Sequence, residues 1–535
     1  MAYLKVDHKN GEGYLRIVES KRVDGKSSKR TLYSLGKVSD YTPEMLQRFG
    51  ERFYELGGGD PKELLGSGVE ELDRYNYGYY QVVAKALSYY GLDKVLSAIQ
   101  KRKKLSYDLL NAITLMLVER LHDPSSKRSN YLDQGEYLGI APIALHHLYR
   151  SLDQLAVKAK VIQRCIFEKG RNLFNQKLDV VFYDVTTFYF DSDKEDELRK
   201  KGFSKDGKTG KVQVVFGLLI DKNKNPIGYR LYSGDQYEGH TFEDAIALLK
   251  KDYQIENIIV VADRGMLSKD NIDIVQNQNN YEFIVGERLK TLPNPIKSKL
   301  TNLKNYTKQW SYDKNGESIV LKYATLEYNG RTIIATYSSK RATKDRKDRE
   351  EKLKKAEKLL QTPSQIDRKS ARFYLKKEHN SKYTLDLKKI EQDQKYDGFL
   401  CIATNNKSLK VTTILDHYRH LFQIEQTFRT FKTHLETRPM YHWTPKRIEG
   451  HICLCYVTYT IQHYLLSKLN RNGYKISERQ LRKNLDRMQV SLVKQKGDLF
   501  YLRSANKNQI PAIVNKLGLR RIPNVLPKNQ ITNYL

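Results

Sequence analysis

Cysteines, long apolar runs and acidic residues are all scarce in this chain of 535 residues. Its four cysteines form no Cys-x2-Cys pair, which argues against a zinc ribbon or a disulfide scaffold and favours a reducing cytosolic setting. No run of 18 apolar residues exists, so no segment is predicted to span a bilayer. The first 20 residues also lack the apolar core of a signal peptide.

The shortage of acidic charge points to a polyanionic partner. Lys plus Arg number 94 against 62 Asp plus Glu, which gives a formal net charge of +32. Nucleic acid is the first candidate for that partner and an anionic membrane surface the second. No amphipathic anchor stands out, so the membrane surface is disfavoured. The 38 tyrosines and 17 phenylalanines are able to fill cores or stack on bases.

The texture of the sequence predicts several domains around a mixed α/β sheet. A DGK turn between alternating segments predicts a small hairpin near the N-terminus, and helical patterns follow. Those helices are read as DNA-binding, although a supporting bundle explains them equally well. The predicted parts are an N-terminal β-containing region (1–70), a helical region (71–175), an α/β core (176–290 and 398–470), an insertion (291–397) and a basic C-terminal region (471–535).

Two aspartates stand out in the strand-rich part. Asp184 lies inside the apolar run "VVFYDVTTFYF", where a carboxylate costs free energy unless something compensates it. Asp263 ends the strand pattern "NIIVVADRG", and open α/β sheets commonly place ligand-binding residues at that point. Taken alone, each aspartate also fits a purely structural role. Asp184 could be hydrogen-bonded at a strand edge, and Asp263 could belong to an ordinary turn.

A third carboxylate, Glu425, lies in a segment predicted to be one long helix over 408–435. Tyr418, Glu425 and Lys432 are spaced by seven residues and are predicted to share a face over four turns. A simple Glu–Lys salt bridge is a poor explanation, because seven residues rise by roughly 10 Å. The neighbouring apolar stripe consists of Leu421, Ile424, Phe428, Phe431 and Leu435.

Taken together, these features resemble the DDE transposases of bacterial insertion sequences. The closest resemblance is to the superfamily with the signature Tyr-x2-Arg-x3-Glu-x6-Lys, in its subgroup with a long N-terminal region. The segment "YRHLFQIEQTFRTFK" matches that signature at Tyr418, Glu425 and Lys432, while Leu421 occupies the arginine position. Arg419 is the candidate to replace the missing guanidinium. The resemblance is strong over 178–290 and 398–465.

The resemblance implies an RNase H-like mixed-sheet core with an insertion. It implies that Asp184, Asp263 and Glu425 are the catalytic residues and the ligands of two Mg²⁺ ions, with Mn²⁺ as a substitute. Such a metal pair activates a nucleophile and stabilises the leaving oxygen, and Mg²⁺ prefers oxygen ligands. The residues implied to bind DNA are Tyr418, Lys432, Arg419, Arg264 and Trp310.

The function expected from the resemblance is cut-and-paste transposition. The expected partners are the terminal inverted repeats and target DNA, bound by a homodimer on paired ends in the bacterial cytoplasm near the nucleoid. Excision through a DNA hairpin is implied, with Trp310 stacking a flipped base, although packing of the insertion's own small core is the favoured role for Trp310. Two alternatives remain: a DNA-binding regulator without catalysis, and an RNase H-type or resolvase-type nuclease without strand transfer.

Overall fold

The structure is a computed structural model. It describes residues 2–535 apart from 24–25, 61–68, 175–179, 204–209, 256, 267–270, 274–280, 315, 362–372, 379–382, 496 and 506–508. Among the described residues, no helix combines the length and the apolar character needed to cross a bilayer.

None of the described strands falls within 78–174 or 405–488. In chain order they are β1 (Ala2–Lys9), β2 (Glu12–Val23), β3 (Lys26–Lys37), β4 (Val69–Asn76), β5 (Val180–Tyr189), β6 (Lys200–Lys201), β7 (Val212–Asp221), β8 (Pro226–Ser233), β9 (Ile258–Ala262), β10 (Tyr281–Glu287), β11 (Lys308–Lys314), β12 (Glu317–Tyr328), β13 (Arg331–Tyr337), β14 (Leu375–Lys377), β15 (Tyr383–Leu385), β16 (Phe399–Thr404), β17 (Gln489–Gln495), β18 (Asp498–Arg503) and β19 (Val525–Pro527).

The α-helices, in chain order, are α1 (Pro43–Leu56), α2 (Gly78–Tyr90), α3 (Leu92–Lys103), α4 (Leu109–His122), α5 (Lys127–Asp133), α6 (Leu145–Phe174), α7 (Thr241–Ala247), α8 (Asn294–Thr301), α9 (Ser339–Leu360), α10 (Leu387–Gln394), α11 (Val411–Arg419), α12 (Phe422–Arg429), α13 (Pro445–Arg471), α14 (Glu478–Leu485) and α15 (Ile510–Leu517). Two π-helical turns, Leu248–Asp252 and Thr430–His434, continue α7 and α12.

One compact unit comprises Met1–Arg74, Val490–Ala505 and Ile522–Tyr534. Its N-terminal sheet has three antiparallel strands, β1-β2-β3, rather than the single hairpin expected from the sequence. The additional strand β1 joins β2 through Asn10 and Gly11, which both have positive φ, at 52° and 81°. An Asn-Gly pair with positive φ at both residues is a common two-residue hairpin turn. The predicted DGK turn includes residues 24–25, which lie outside the described residues.

The second unit comprises Tyr75–Gln489 and Asn506–Arg521, with Leu535. Its helices α2–α6 come before the strands of its sheet in the chain. Helix α4 is buried along almost its whole length, from Leu109 to Leu121. A helix buried on every side is a core element, so α4 is not a helix that docks in a DNA groove. The DNA-binding role of the rest of 71–175 stays a prediction.

A mixed sheet organises this unit, in the order β11-β12-β13-β16-β10-β9-β5-β7-β6, with β8 paired to β7. Strand β9 runs parallel to both of its neighbours, β5 and β10. The other pairs in the sheet are antiparallel. The mixed α/β class expected from the sequence is therefore confirmed. Strands β11–β13, from the segment read as an insertion, extend this same sheet.

The two faces of the sheet carry different residues of β5. Val181, Tyr183 and Val185 belong to a buried apolar cluster that also contains Phe242 of α7 and Phe167 of α6. The alternate residues of β5 therefore face the other side. On that side Phe431 packs against Phe188 and Phe216, with ring centroids 6.5 and 5.3 Å away. This second face carries Asp184.

Candidate active site

Asp184 lies in the middle of β5, between neighbours that are buried. Its side chain is half-buried, and its Oδ1 accepts a hydrogen bond from the Val185 backbone N–H at 2.7 Å. The apolar, β-branched and aromatic neighbours explain why this segment is a strand at the centre of the sheet. They also fix the position of the carboxylate.

Asp263 follows directly after β9, and the strand register places it beside Asp184. The parallel pairing of β5 with β9 ends at Tyr183 opposite Ala262. The residue that follows each of these two is an aspartate, Asp184 and Asp263. Neighbouring strands lie about 4.8 Å apart, and laterally paired residues point to the same face. The two carboxylates, 79 positions apart in sequence, therefore share one face at adjacent positions. The side chain of Asp263 is exposed.

Gly286 on β10 makes room for the next group. The pairing of Val285 with Ala262 places Gly286 beside Asp263. A Cβ atom at Gly286 would lie 2.5 Å from the Tyr418 hydroxyl and 2.9 Å from the Arg264 Cβ. The Tyr418 ring can therefore lie over the sheet at this point only because residue 286 has no side chain.

The sequence predicted one long helix across the segment that carries Tyr418 and Glu425. In the structure this prediction is wrong, because the segment consists of separate helical elements. Helix α11 ends at Arg419, and Leu421 and Ile424 make i−3 hydrogen bonds to Tyr418 and Leu421 before α12 continues. After Arg429 the chain makes a π-turn, Thr430–His434. An i−3 turn tightens a helix and a π-turn widens it, so the segment departs from regular α-helical geometry on both sides of Glu425.

The apolar stripe of this segment nevertheless anchors it as expected: Leu421, Ile424, Phe428, Phe431 and Leu435 are all buried. Glu425 is exposed and Lys432 is half-buried. Glu425 lines a cleft together with Asp263 and Tyr418. Lys432 lies in the π-turn, beyond the residues that line the cleft.

The cleft has a volume of about 1220 Å³ and opens between α11–α12 and the strands β11–β13. The side of its lining that α9 provides is cationic. The basic residues in the lining are Lys322, Lys340, Arg341, Lys344 and Arg419. The sequence analysis does not single out Lys340, Arg341 and Lys344 of α9, which line this cleft. Only the folding of β13 back onto β16 brings those residues near Asp263.

The pKa of the Tyr418 hydroxyl is shifted by burial and by charged residues around the cleft. Burial raises this pKa well above the usual range, and the carboxylates of Asp263 and Glu425 raise it further. Arg264 and Arg341 oppose that shift. The hydroxyl is therefore protonated at neutral pH and lies within electrostatic reach of both carboxylates.

Two other residues predicted to bind DNA, Arg419 of α11 and Trp310 of β11, make contacts between these two elements. The Arg419 guanidinium lies 4.1 Å from the centre of the Tyr312 ring and donates to the Asp313 carbonyl at 2.8 Å. The Trp310 side chain is only 6% exposed, and its Nε1–H donates to Asp416 Oδ1 at 3.1 Å. Both contacts attach α11 to β11. The roles of Arg419 and Trp310 toward DNA stay predictions.

The oxygen donors suit a hard divalent cation, since carboxylates are what Mg²⁺ and Mn²⁺ take up in proteins. Asp184 and Asp263 supply adjacent carboxylates, and Glu425 opens into the same cleft as Asp263. Within the described part of the chain, however, no group of three His, Cys, Asp or Glu side chains converges tightly enough to hold a metal. The role of Asp184, Asp263 and Glu425 as metal ligands therefore stays a prediction.

Family models of known proteins match two segments of this chain. The family model described as "Transposase DDE domain" matches residues 175–461, which is more than half of the chain. The model of the "IS1634 family transposase, N-terminal domain" matches residues 4–54. No match was found among curated proteins.

Among solved structures, the chain is similar to the "Mos1 transposase paired-end complex with left transposon end" at 13% identity and a TM-score of 0.15. That match covers 36% of this chain and 57% of the Mos1 chain, so this chain spans little more than half of that protein. The "Mos1 mariner paired end complex with Mn" matches at 15% identity, a TM-score of 0.14 and coverages of 36% and 57%. The match of the first family model spans both aspartates and Glu425, and the chain belongs to the family of transposases with a DDE domain.

Proposed function

We propose that this protein cleaves the ends of its own mobile element with a divalent metal and joins the freed 3′-OH to target DNA. One observation carries the proposal: the strand register sets Asp184 beside Asp263 on one face, and Glu425 opens into the same cleft as Asp263. A binding-only protein has no use for Asp263 and Glu425 in one cleft with Asp184 on the adjacent strand.

The core strands support an RNase H-like fold. Strands β8, β7 and β5 form an antiparallel set, and β9 and β10 continue from β5 in parallel. Taken in sequence order within the core, this arrangement reads 3-2-1-4-5. Asp184 lies on the central strand, which is paired on both sides, and Asp263 follows directly after the strand next to it.

Asp184, Asp263 and Glu425 would hold the metal. Two such ions, when bound, lower the pKa of a bound water and stabilise the charge on the entering and leaving oxygens. Tyr418, which stays protonated, is placed to donate a hydrogen bond toward a phosphate oxygen or toward one of the carboxylates. Arg264, exposed directly after Asp263, adds positive charge at the same edge of the sheet.

The partner in this proposal is double-stranded DNA, as terminal inverted repeats and as target, bound by a homodimer on paired ends. The net charge of +32 and the cationic side of the cleft favour phosphate binding. The five-part division of the chain is retained as part of the proposal. In it, 291–397 assists excision through a hairpin, and Trp310 has to leave its present buried position before it can stack on a base.

The experiment uses labelled duplexes taken from the DNA that flanks the gene, a supercoiled target plasmid and Mg²⁺ or Mn²⁺. Wild type is expected to cut the element end and to join it to the plasmid. Asp184→Asn, Asp263→Asn and Glu425→Gln are each expected to bind the duplex and to lose at least about 10³-fold in cleavage rate, since each removes a charged metal ligand.

Each outcome is decisive. Cleavage at a near wild-type rate by any of the three variants removes that residue from the site. Cutting without joining identifies a nuclease, and binding without cutting identifies a regulator. A denaturing gel of the same reaction reads the hairpin: a hairpin band in wild type that Trp310→Ala loses selectively supports the stacking role. Absence of that band in wild type rejects the hairpin route alone.

A further inference from the structure

The proposed reaction needs a cation that holds the DNA phosphate against the carboxylates, and the expected candidate is already engaged elsewhere. The Arg419 guanidinium lies over Tyr312 and donates to the Asp313 carbonyl. One of its terminal N–H groups is therefore taken up by β11. The position of Leu421, two residues further on, is buried and apolar.

Arg341 reaches the same cleft from a different part of the chain. It lies in the first turn of α9, whose Ser338 cap accepts from the Arg341 backbone N–H at 3.3 Å. Ser338, Arg341 and Lys344 line the cleft with Asp263, Tyr418 and Glu425.

The first turn of α9 is fixed firmly to the sheet. The Ser338 N–H donates to the Gly398 carbonyl and the Gly398 N–H donates to Asp345 Oδ2, each at 3.0 Å. Gly398 has φ of 84°, and a Cβ atom there would come within 2.8 Å of the Ser338 carbonyl oxygen. The helix therefore meets β16 at a distance that only glycine allows, and Arg341 projects from a rigid base.

The Arg341 side chain retains capacity for an anion. Its Nε lies 3.8 Å from Asp345 Oδ2, too far for a hydrogen bond, and the same oxygen already accepts from Gly398. The side chain is 43% exposed. A guanidinium has five N–H donors arranged for bidentate contact with a phosphate. Its charge also acts at the Tyr418 hydroxyl, where it opposes the rise in pKa caused chiefly by burial and by Asp263.

On this geometry we propose that Arg341 is a substrate-binding residue of the DDE site, which holds a phosphate of the DNA end against the carboxylates. The inference rests on the proposed function and adds to it a residue outside the segment with the family signature. It also assigns a task to the first turn of α9, which otherwise reads as an ordinary solvated helix end.

The test compares Arg341→Gln, Arg341→Lys and Arg346→Gln. Arg346 is the matched control, because it is an exposed arginine on the same helix that does not line the cleft. Single-turnover cleavage of the element-end duplex is measured at saturating protein. Arg341→Gln is expected to cut at least tenfold more slowly than Arg346→Gln. Arg341→Lys is expected to lie between them, since lysine keeps the charge and loses the bidentate fork. Equal thermal midpoints of the three variants show that the loss of rate does not come from unfolding.

A second arm identifies the phosphate. A neutral methylphosphonate replaces, one at a time, the scissile phosphate and its two neighbours. At the contacted phosphate, wild type is expected to lose rate by a factor similar to that of Arg341→Gln, and the variant is expected to lose little more. Losses that multiply at all three positions, or equal rates for Arg341→Gln and Arg346→Gln, overturn the inference.

Failure of the proposed function would look different. If wild type leaves the duplex intact in Mg²⁺ and Mn²⁺, the catalytic proposal fails independently of Arg341. Affinity for the same duplex in Ca²⁺ then decides the inference. Binding weakened at least threefold in Arg341→Gln relative to Arg346→Gln supports a phosphate contact, and equal affinities reject it.

Discussion

Gly286 offers a single-methyl test of the packing around the carboxylates. In Gly286→Ala the new Cβ would meet the Tyr418 hydroxyl at 2.5 Å and the Arg264 backbone N at 3.0 Å, whereas ordinary contacts begin at 3.4 Å. The Arg264 backbone is held by the end of β9, so the Tyr418 ring has to move. We expect the substitution to lower the free energy of unfolding by about 1–3 kcal/mol, the usual cost of overpacking.

The same substitution in a Tyr418→Phe background isolates the cause. Phenylalanine lacks the oxygen that the new methyl group would meet, so Gly286→Ala is expected to cost less there. The difference between the two backgrounds is the coupling energy, and residues in direct contact typically couple by about 0.5–3 kcal/mol. The contacts with Arg264 persist in both backgrounds, so the cost is reduced rather than abolished.

Trp310 provides the signal for this measurement. The chain has two tryptophans, and Trp443→Phe leaves Trp310, which is 6% exposed and lies beside the cleft. Its fluorescence through a urea titration follows the loss of this part of the sheet. Gly135→Ala is the control, because a Cβ there meets no atom within 4 Å and is expected to change stability by less than about 0.5 kcal/mol. Equal stability of Gly286→Ala and wild type, or an equal cost in both backgrounds, would refute this account of the packing.

Two further predictions concern Arg120 and His463, which do not line the cleft. Arg120 is 5% exposed and donates to the Leu435 and Ser125 carbonyls, each at 3.1 Å. Arg120→Met is expected to lower the free energy of unfolding, measured in urea, by about 2–4 kcal/mol. A decrease below about 0.5 kcal/mol would contradict a stabilising role of these hydrogen bonds. Burial lowers the pKa of His463 to about 4, whereas the unfolded chain takes up that proton near pH 6.5. Stability from this group is therefore present above pH 6.5 and is lost as the pH falls toward 4. The thermal midpoint should follow, and His463→Gln should flatten that dependence; an unchanged slope counts against it.

The sequence predicted most of what depends on local pattern. The apolar strand around Asp184, the strand that ends at Asp263 and the buried stripe beside Glu425 are all set by neighbours within a few residues. The lateral pairing of the two aspartates is different. It depends on the register between β5 and β9, which one residue of slip would reverse. No signal within either strand specifies that register.

The failures have equally specific causes. The sequence pattern predicts one regular helix over 408–435, but the i−3 turn at Leu421 and the π-turn after Arg429 interrupt it. Neither deviation has a proline or glycine to announce it. Arg341 was missed because its place in the cleft depends on strand pairings that join distant segments, whereas its local sequence is that of a charged, solvated helix.

The position of β16 has a consequence for how the segment 291–397 could arise and vary. Glu287 at the end of β10 pairs with Cys401 near the start of β16. The chain therefore leaves the core and returns to it on two adjacent antiparallel strands, so the segment is topologically an expanded hairpin connection. Closing a loop costs free energy that grows only slowly with its length, and the core strands keep their positions whether that connection is short or long.

The other edge of β16 limits that freedom. Strand β13 pairs with β16 from Thr332 opposite Thr404 to Tyr337 opposite Phe399. A version of this protein with a short turn in place of the segment would leave that edge of β16 without hydrogen-bond partners. An uncovered edge strand recruits other chains. Ancestors with a minimal connection would thus have needed charged residues on this edge, or a partner chain to cover it.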